Sequence, residues 1–230
     1  RRRKARIIMA DPFHFFMHPQ FPKPPQQTLA LVGVLALATA PLFLNDLAYL
    51  DYPTVTTWLA VDWGSKLLSG GIIMAFASTR RLAALPVPGT LTVSLLIALI
   101  VATILDWWFS PWLIAWGNDL IPAPAKFGFT YPNEMIRLLD LGPGLLLTAM
   151  VEEVLFRKVL FLGLMRGQLS RNAAAATSII LFALCHWSMG IGACLSALLF
   201  GVIAQIIFIH GGKLWPVIAA HWIYDFFWFA

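Results

Sequence analysis

Charge is what this sequence has least of. Of its 230 residues, 16 are Lys or Arg and 11 are Asp or Glu, together 12%, where soluble domains carry about 25%. So few charges cannot cover the surface of a soluble globule, which excludes a soluble enzyme, a disordered tail and a solvated coiled coil. Cysteine is also scarce. Cys185 and Cys194 both lie in apolar sequence, which excludes a disulfide scaffold and reads as two small buried hydrophobes. Internal repeats and low-complexity tracts are absent. The net charge of +5 is no nucleic-acid footprint, because the basic residues sit in short clusters between apolar runs and not beside stacking aromatics. Hydrophobic residues are abundant, at 60%. These features together specify an all-α fold, a polytopic transmembrane helical bundle.

A membrane span needs roughly 20 mostly apolar residues. Seven stretches qualify: 28–45, 64–79, 88–105, 141–164, 173–189, 191–209 and 214–230. Three regions follow: an N-terminal leader (1–27), N-terminal membrane helices with an interfacial loop (28–140) and a C-terminal core (141–230). Met9-Ala10-Asp11 reads as a natural start. Ala38-Thr39-Ala40 resembles a signal-peptide cleavage site, but Pro41 follows it directly and the leader is long and proline-rich, so the first run reads as a retained span.

Loop charges give the orientation. Arg1, Arg2, Arg3, Lys4, Arg6 and Lys23 precede the first span. Arg80 and Arg81 follow the second, Arg166 and Arg171 the fourth, and Lys213 the sixth. Loop 46–63 on the other side holds three Asp and no base, and 106–140 holds Lys126 and Arg137 only. This alternation places the N-terminus in the cytoplasm. Trp58, Trp63, Trp107, Trp108, Trp112, Trp116 and Trp187 then fall at outer interfaces, where an indole keeps its N–H wet. The 106–140 stretch, polar and rich in proline, is expected to be an interfacial loop with short helices.

A charge at the centre of a span costs on the order of 2.5–3.5 kcal/mol by insertion scales, so an intramembrane ionisable residue points to function. The fourth span carries Glu152, Glu153, Arg157 and Lys158, the fifth His186, and the seventh His221 and Asp225. Glu153 and Arg157, four apart on a helix, share a face and can pair. Glu152 lies about 100° round the helix and needs a partner from elsewhere. His221 and Asp225 share a face, as do Phe182 and His186. At about 1.5 Å per residue these groups lie at similar depths and can converge in one polar intramembrane cavity. Lys158 can snorkel to the interface and is given no role.

Glu152-Glu153-x-x-x-Arg157, Phe182-x-x-x-His186 and His221-x-x-x-Asp225 resemble the three motifs of the CAAX-protease and bacteriocin-processing family of glutamic intramembrane endopeptidases. Each motif alone is weak; all three, in order and at membrane depth, are strong. Asp225 departs from the prenyl-endopeptidase branch, which has Asn there, and matches other branches. The resemblance implies peptide-bond hydrolysis by activated water, without metal or cofactor. Glu152 would be general base, His186 would hold the water, and His221, oriented by Asp225, would stabilise the oxyanion. Glu153 and Arg157 would support the base, and Phe182 would shape and dry the pocket.

The substrate would be a membrane-anchored protein or peptide in the lipid bilayer: a prenylated CAAX tail, a peptide precursor or a bacterial sorting tail. Nucleic acid is not an expected partner. Rival readings are an ion- or proton-coupled transporter, which also places acids and histidines at the midplane, and a non-catalytic scaffold of the same fold. Carboxylate and two histidines are zinc-ligand types too, although no His-Glu-x-x-His helix occurs. Cys185 beside His186 is not a nucleophile–base pair, since helix neighbours diverge by about 100°.

Overall fold

A computed structural model describes residues 25–50, 54–123 and 131–230. The basic cluster in residues 1–6, the start at Met9, Lys23, Asp51 and Lys126 lie outside the described residues. Among those described, every regular element is helical: α1 (Pro25–Leu50), α2 (Val55–Ala75), α3 (Ala77–Ala84), α4 (Val93–Leu120), α5 (Glu134–Leu139), α6 (Leu145–Glu153), α7 (Phe161–Arg166), α8 (Arg171–Leu184), α9 (Ile191–Gly211) and α10 (Trp215–Phe229). Two π-helical segments, Asp140–Gly144 and Val154–Leu160, join α5, α6 and α7 into one rod.

The starts of these helices are written in short polar residues. Thr54 accepts from the Thr57 N–H, Thr92 from Leu95, Asn133 from Ile136 and Ser170 from Ala173. Each satisfies one orphan donor of its first turn. Pro216 sits in the first turn of α10, where its missing N–H costs nothing. Gly212 ends α9 at φ +66°, and a side chain there would press within 2.5 Å of the Val87 carbonyl oxygen.

Three stretches are long and apolar enough to cross a bilayer: Thr28–Leu47, Val93–Leu120 and Ile191–Gly211. The pair α2 and α3, bent by 96°, makes a fourth if it is one broken span. By length and composition the described residues therefore give three or four crossings against the seven expected. α8 and α10 are shorter, with 14 and 15 residues, or about 21–23 Å at 1.5 Å per residue. The second candidate span, 64–79, does not continue as one helix. It breaks at Phe76, whose backbone is extended.

The largest correction concerns 106–140. The helix of the third span begins only at Val93, after Pro86, Pro88 and the Thr92 cap. It then continues straight through Asp106 and Pro111 to Leu120. Proline is tolerated within membrane helices because neighbouring groups satisfy the freed carbonyl. Asp106 is tolerated because it is fully buried in protein. The opposite face of α4 presents Ile97, Ile100, Ile104, Trp108 and Trp112, all more than half exposed, a continuous apolar surface of the kind that faces lipid.

α4 packs along α9, with Gly117 against Gly192. A Cβ on Gly117 would fall 2.6 Å from the Gly192 Cα, so backbones meet here, as small residues allow in membranes. The core lies between the α6–α7 rod, α8, α9 and α1, centred on Phe156, Phe161, Phe182, Phe200 and Phe208. Trp58 belongs to the interior and not to an interface, being 4% exposed.

Candidate active site

The rod bearing the two glutamates owes its shape to local departures from α-helix. Pro143 has no N–H to give, and the helix widens around it into i→i+5 bonding. Trp222 from α10 donates its indole N–H to the loosened carbonyls of Leu141 and Gly142, at 3.3 and 3.2 Å. The second π segment starts directly after Glu153, and the Ser178 hydroxyl of α8 donates to its Phe156 carbonyl. Each widened turn is thus paid back by a side chain of a neighbouring helix. At the head of the rod, Asp140 accepts from Tyr131 (2.8 Å) and from the Trp63 indole (3.1 Å). Burial first, then Asp140 as acceptor, push the Tyr131 phenol above its usual range, so it remains a donor.

Glu153 and Arg157 are both fully buried and pair, Nε to Oε2 at 2.8 Å with a longer Nη2–Oε1 contact at 3.4 Å. The guanidinium also lies 4.1 Å above the Phe182 ring, a cation–π contact strengthened by exclusion of water. Glu153 does more than neutralise Arg157. Its Oε1 is 2.9 Å from His221 Nδ1, and a carboxylate only accepts, so Nδ1 carries a proton; Asp225 beyond Nε2 favours a second N–H there, and the ring is fixed.

His221 Nε2 then faces Asp225 Oδ2 at 3.3 Å and Glu152 Oε2 at 4.0 Å. The first contact is weak; the second is no hydrogen bond. Glu152 Oε2 is buried without a partner in the protein. The two adjacent glutamates therefore differ sharply: Glu153 is saturated, and Glu152, which lines a cavity, keeps an oxygen without a partner.

His186 reaches the same cavity from a turn. The fifth span was expected to be helical to 189, but α8 ends at Leu184, and Trp187–Met189 form a 3₁₀ turn. His186 sits between them at φ −108°, ψ 19°, in the bridge region common at active sites. Its Nδ1 lies 3.1 Å from the Phe182 carbonyl oxygen, so Nδ1 donates and Nε2 is left as acceptor. The Phe182 ring stands edge-on to both imidazoles, 5.3 Å from His186 and 5.9 Å from His221.

Helix α1 holds this turn. Asp46 Oδ2 accepts the buried Ser188 N–H at 3.0 Å, and the Trp187 indole reaches the Phe43 carbonyl at 3.5 Å. Among the described residues, the acids of the expected outer loop 46–63 are thus helical and inward-facing: Asp46 in α1, Asp62 in α2, both buried.

The cavity encloses about 120 Å³, room for several waters. The structure brings Glu152, His186, His221, Asp225 and Phe182 together in its wall; Glu153 and Arg157 lie behind that wall. It adds Asn45, Asp46, Asp62, Lys66, Asp106 and Tyr224, which carried no motif. Lys66 bonds Asp62 at 2.5 Å, and Asn45 donates to the same oxygen at 2.9 Å. Lys66 and Glu152 line the same cavity. The Asp62–Lys66 pair was legible: its members are four apart in an apolar stretch, the same signal that marked Glu153 and Arg157. Among the described residues, no three His, Cys, Asp or Glu side chains meet at metal-binding geometry.

Residues 135–227 match the model of the family described as Type II CAAX prenyl endopeptidase Rce1-like, and all three motifs fall inside that segment. No curated protein and no solved structure matches the chain. The match is to the family that the motifs resemble and supports an intramembrane endopeptidase of the CAAX type. With the apolar helices, it makes this an integral membrane protein.

Proposed function

We propose that the chain is a glutamic-type intramembrane endopeptidase that cleaves a peptide bond near the membrane-anchored end of its substrate. The observation that carries this is the 4.0 Å gap between Glu152 Oε2 and His221 Nε2. It is too long for a direct hydrogen bond and fits one water held by both groups.

Glu152 takes a proton from that water as its oxygen attacks the scissile carbonyl. The unprotonated Nε2 of His186 is a second acceptor for the water's other proton. As the carbonyl π-electrons move onto oxygen, an N–H at His221 Nε2 stabilises the oxyanion. Glu153 holds that ring from behind and Asp225 from the side. Collapse of the intermediate breaks the C–N bond, and the proton held by Glu152 passes to the leaving amine. The family match and the placement of Glu152 among apolar helices support a substrate that is lipid-anchored or itself transmembrane.

The test uses the purified protein in liposomes with a mixed set of membrane-anchored peptides, reading new C-termini by mass spectrometry. Wild-type protein should generate them, and Glu152→Gln should generate on the order of 10²–10⁴-fold fewer. Near-normal cleavage by Glu152→Gln would rule the mechanism out.

A further inference from the structure

Six carboxylates line the cavity, and only Lys66 among the lining residues is a lysine or arginine. Five of the six have a role: four are bonded within the protein, and Glu152, whose Oε2 has no partner there, is the proposed base. Asp62 has Lys66 and Asn45, Asp140 has Tyr131 and Trp63, and Asp46 has the Ser188 N–H. Asp225 and Glu152 face His221.

Asp106 is different. It is fully buried in the middle of α4, and neither of its carboxylate oxygens has a hydrogen-bond partner. The nearby Ser110 hydroxyl is already used: it donates to the Asp106 backbone carbonyl (2.8 Å) and meets the hydroxyls of Ser196 (2.5 Å) and Tyr224 (2.6 Å). A carboxylate removed from water without a partner is strongly unfavourable, and so is the loss of one partner of a buried pair. Left alone, such a group favours its protonated form, and a cation brought beside it restores the charge. Tyr224 lies one turn from His221 on α10 and packs, like it, on Phe200, at 5.8 and 5.1 Å. The unpartnered carboxylate thus belongs to the same cavity as the reacting groups.

We propose that Asp106, flanked by the hydroxyls of Tyr224 and Ser196, is a substrate subsite for a cationic side chain, the ammonium of lysine or the guanidinium of arginine, close to the scissile bond. The excess of carboxylates over cations in the same cavity favours a cation over a neutral donor. This specificity rests on the endopeptidase reading, but its test does not require cleavage.

Purified protein is titrated with an acetylated, leucine-rich hexapeptide amide carrying one central lysine, and with its norleucine counterpart. Binding is read from intrinsic tryptophan fluorescence. Wild type should bind the lysine peptide at least about tenfold more tightly. Asp106→Asn, and Asp106→Ser as a second folded variant, should lose that preference, while Glu152→Gln keeps it. Equal affinities in wild type, or a lysine preference that survives both Asp106 variants, overturn the subsite. Should the lysine preference depend on Asp106 while no peptide is ever cleaved, the subsite stands and the endopeptidase reading fails.

Discussion

The floor of the cavity and its wall are built from the same residue types and do opposite things with them. In the floor the carboxylate of Glu153 is fully used, serving Arg157 and His221, and the guanidinium lies on the Phe182 ring with only its Nη1 unbonded. In the wall, Glu152 Oε2 and the oxygens of Asp106 are equally buried and have no protein partner. Two consecutive glutamates on one helix fall on either side of this divide. A saturated buried charge fixes geometry. An unsaturated one retains the affinity for a proton or a cation that chemistry and recognition use.

The comparison breaks most visibly in the floor. Glu153→Gln leaves Arg157 buried beside an uncharged amide and should destabilise the protein by roughly 3–5 kcal/mol, the cost of a broken buried pair, measured by denaturation in detergent. If stability is unchanged, the floor is not what holds the rod. In the wall, His186→Ala should reduce turnover by about 10²–10³-fold, as for other groups that act on the developing charge, with a melting temperature near wild type. Unfolding of this variant would place His186 with the floor.

A smaller effect sharpens the link between the two chain halves. Asp46→Ala strands the Ser188 N–H and should cost about 1–3 kcal/mol, while Asp46→Asn, which still offers an acceptor oxygen, should recover most of it. Equal losses in both would mean that charge, and not the hydrogen bond, is what the turn needs. The smallest effect concerns metal. Prolonged dialysis against a strong chelator should leave turnover within about twofold of the untreated protein, and elemental analysis should find no stoichiometric zinc. Loss of activity restored by zinc would make Glu152 and the histidines ligands instead.

The motif residues of floor and wall were legible because their signal is periodic. Glu153–Arg157, Phe182–His186 and His221–Asp225 are all spaced by four, and four residues bring side chains onto one helical face whatever surrounds them. The interruptions were not legible. The π segments around Pro143 and after Glu153 are stabilised by Trp222 and Ser178, which arrive from other helices, and the turn at His186 is held by Asp46, more than a hundred residues away. Reading 106–140 as a loop failed for the same reason. Asp106 and Pro111 look like helix breakers until α9 and α10 are seen to enclose the charge. The rest of the wall needed tertiary knowledge, with Asp62–Lys66 the exception, since its four-residue spacing was present in the sequence.

Glu152 and Glu153, adjacent and chemically identical, divide chemistry from structure. The measurement that tests this division is turnover against melting temperature for Glu152→Gln and Glu153→Gln in the same liposome assay. The expected result is a crossover: Glu152→Gln melts with wild type and is inactive, whereas Glu153→Gln melts well below it. Near-normal turnover by Glu152→Gln, or a loss of stability there as large as at Glu153, would contradict the division.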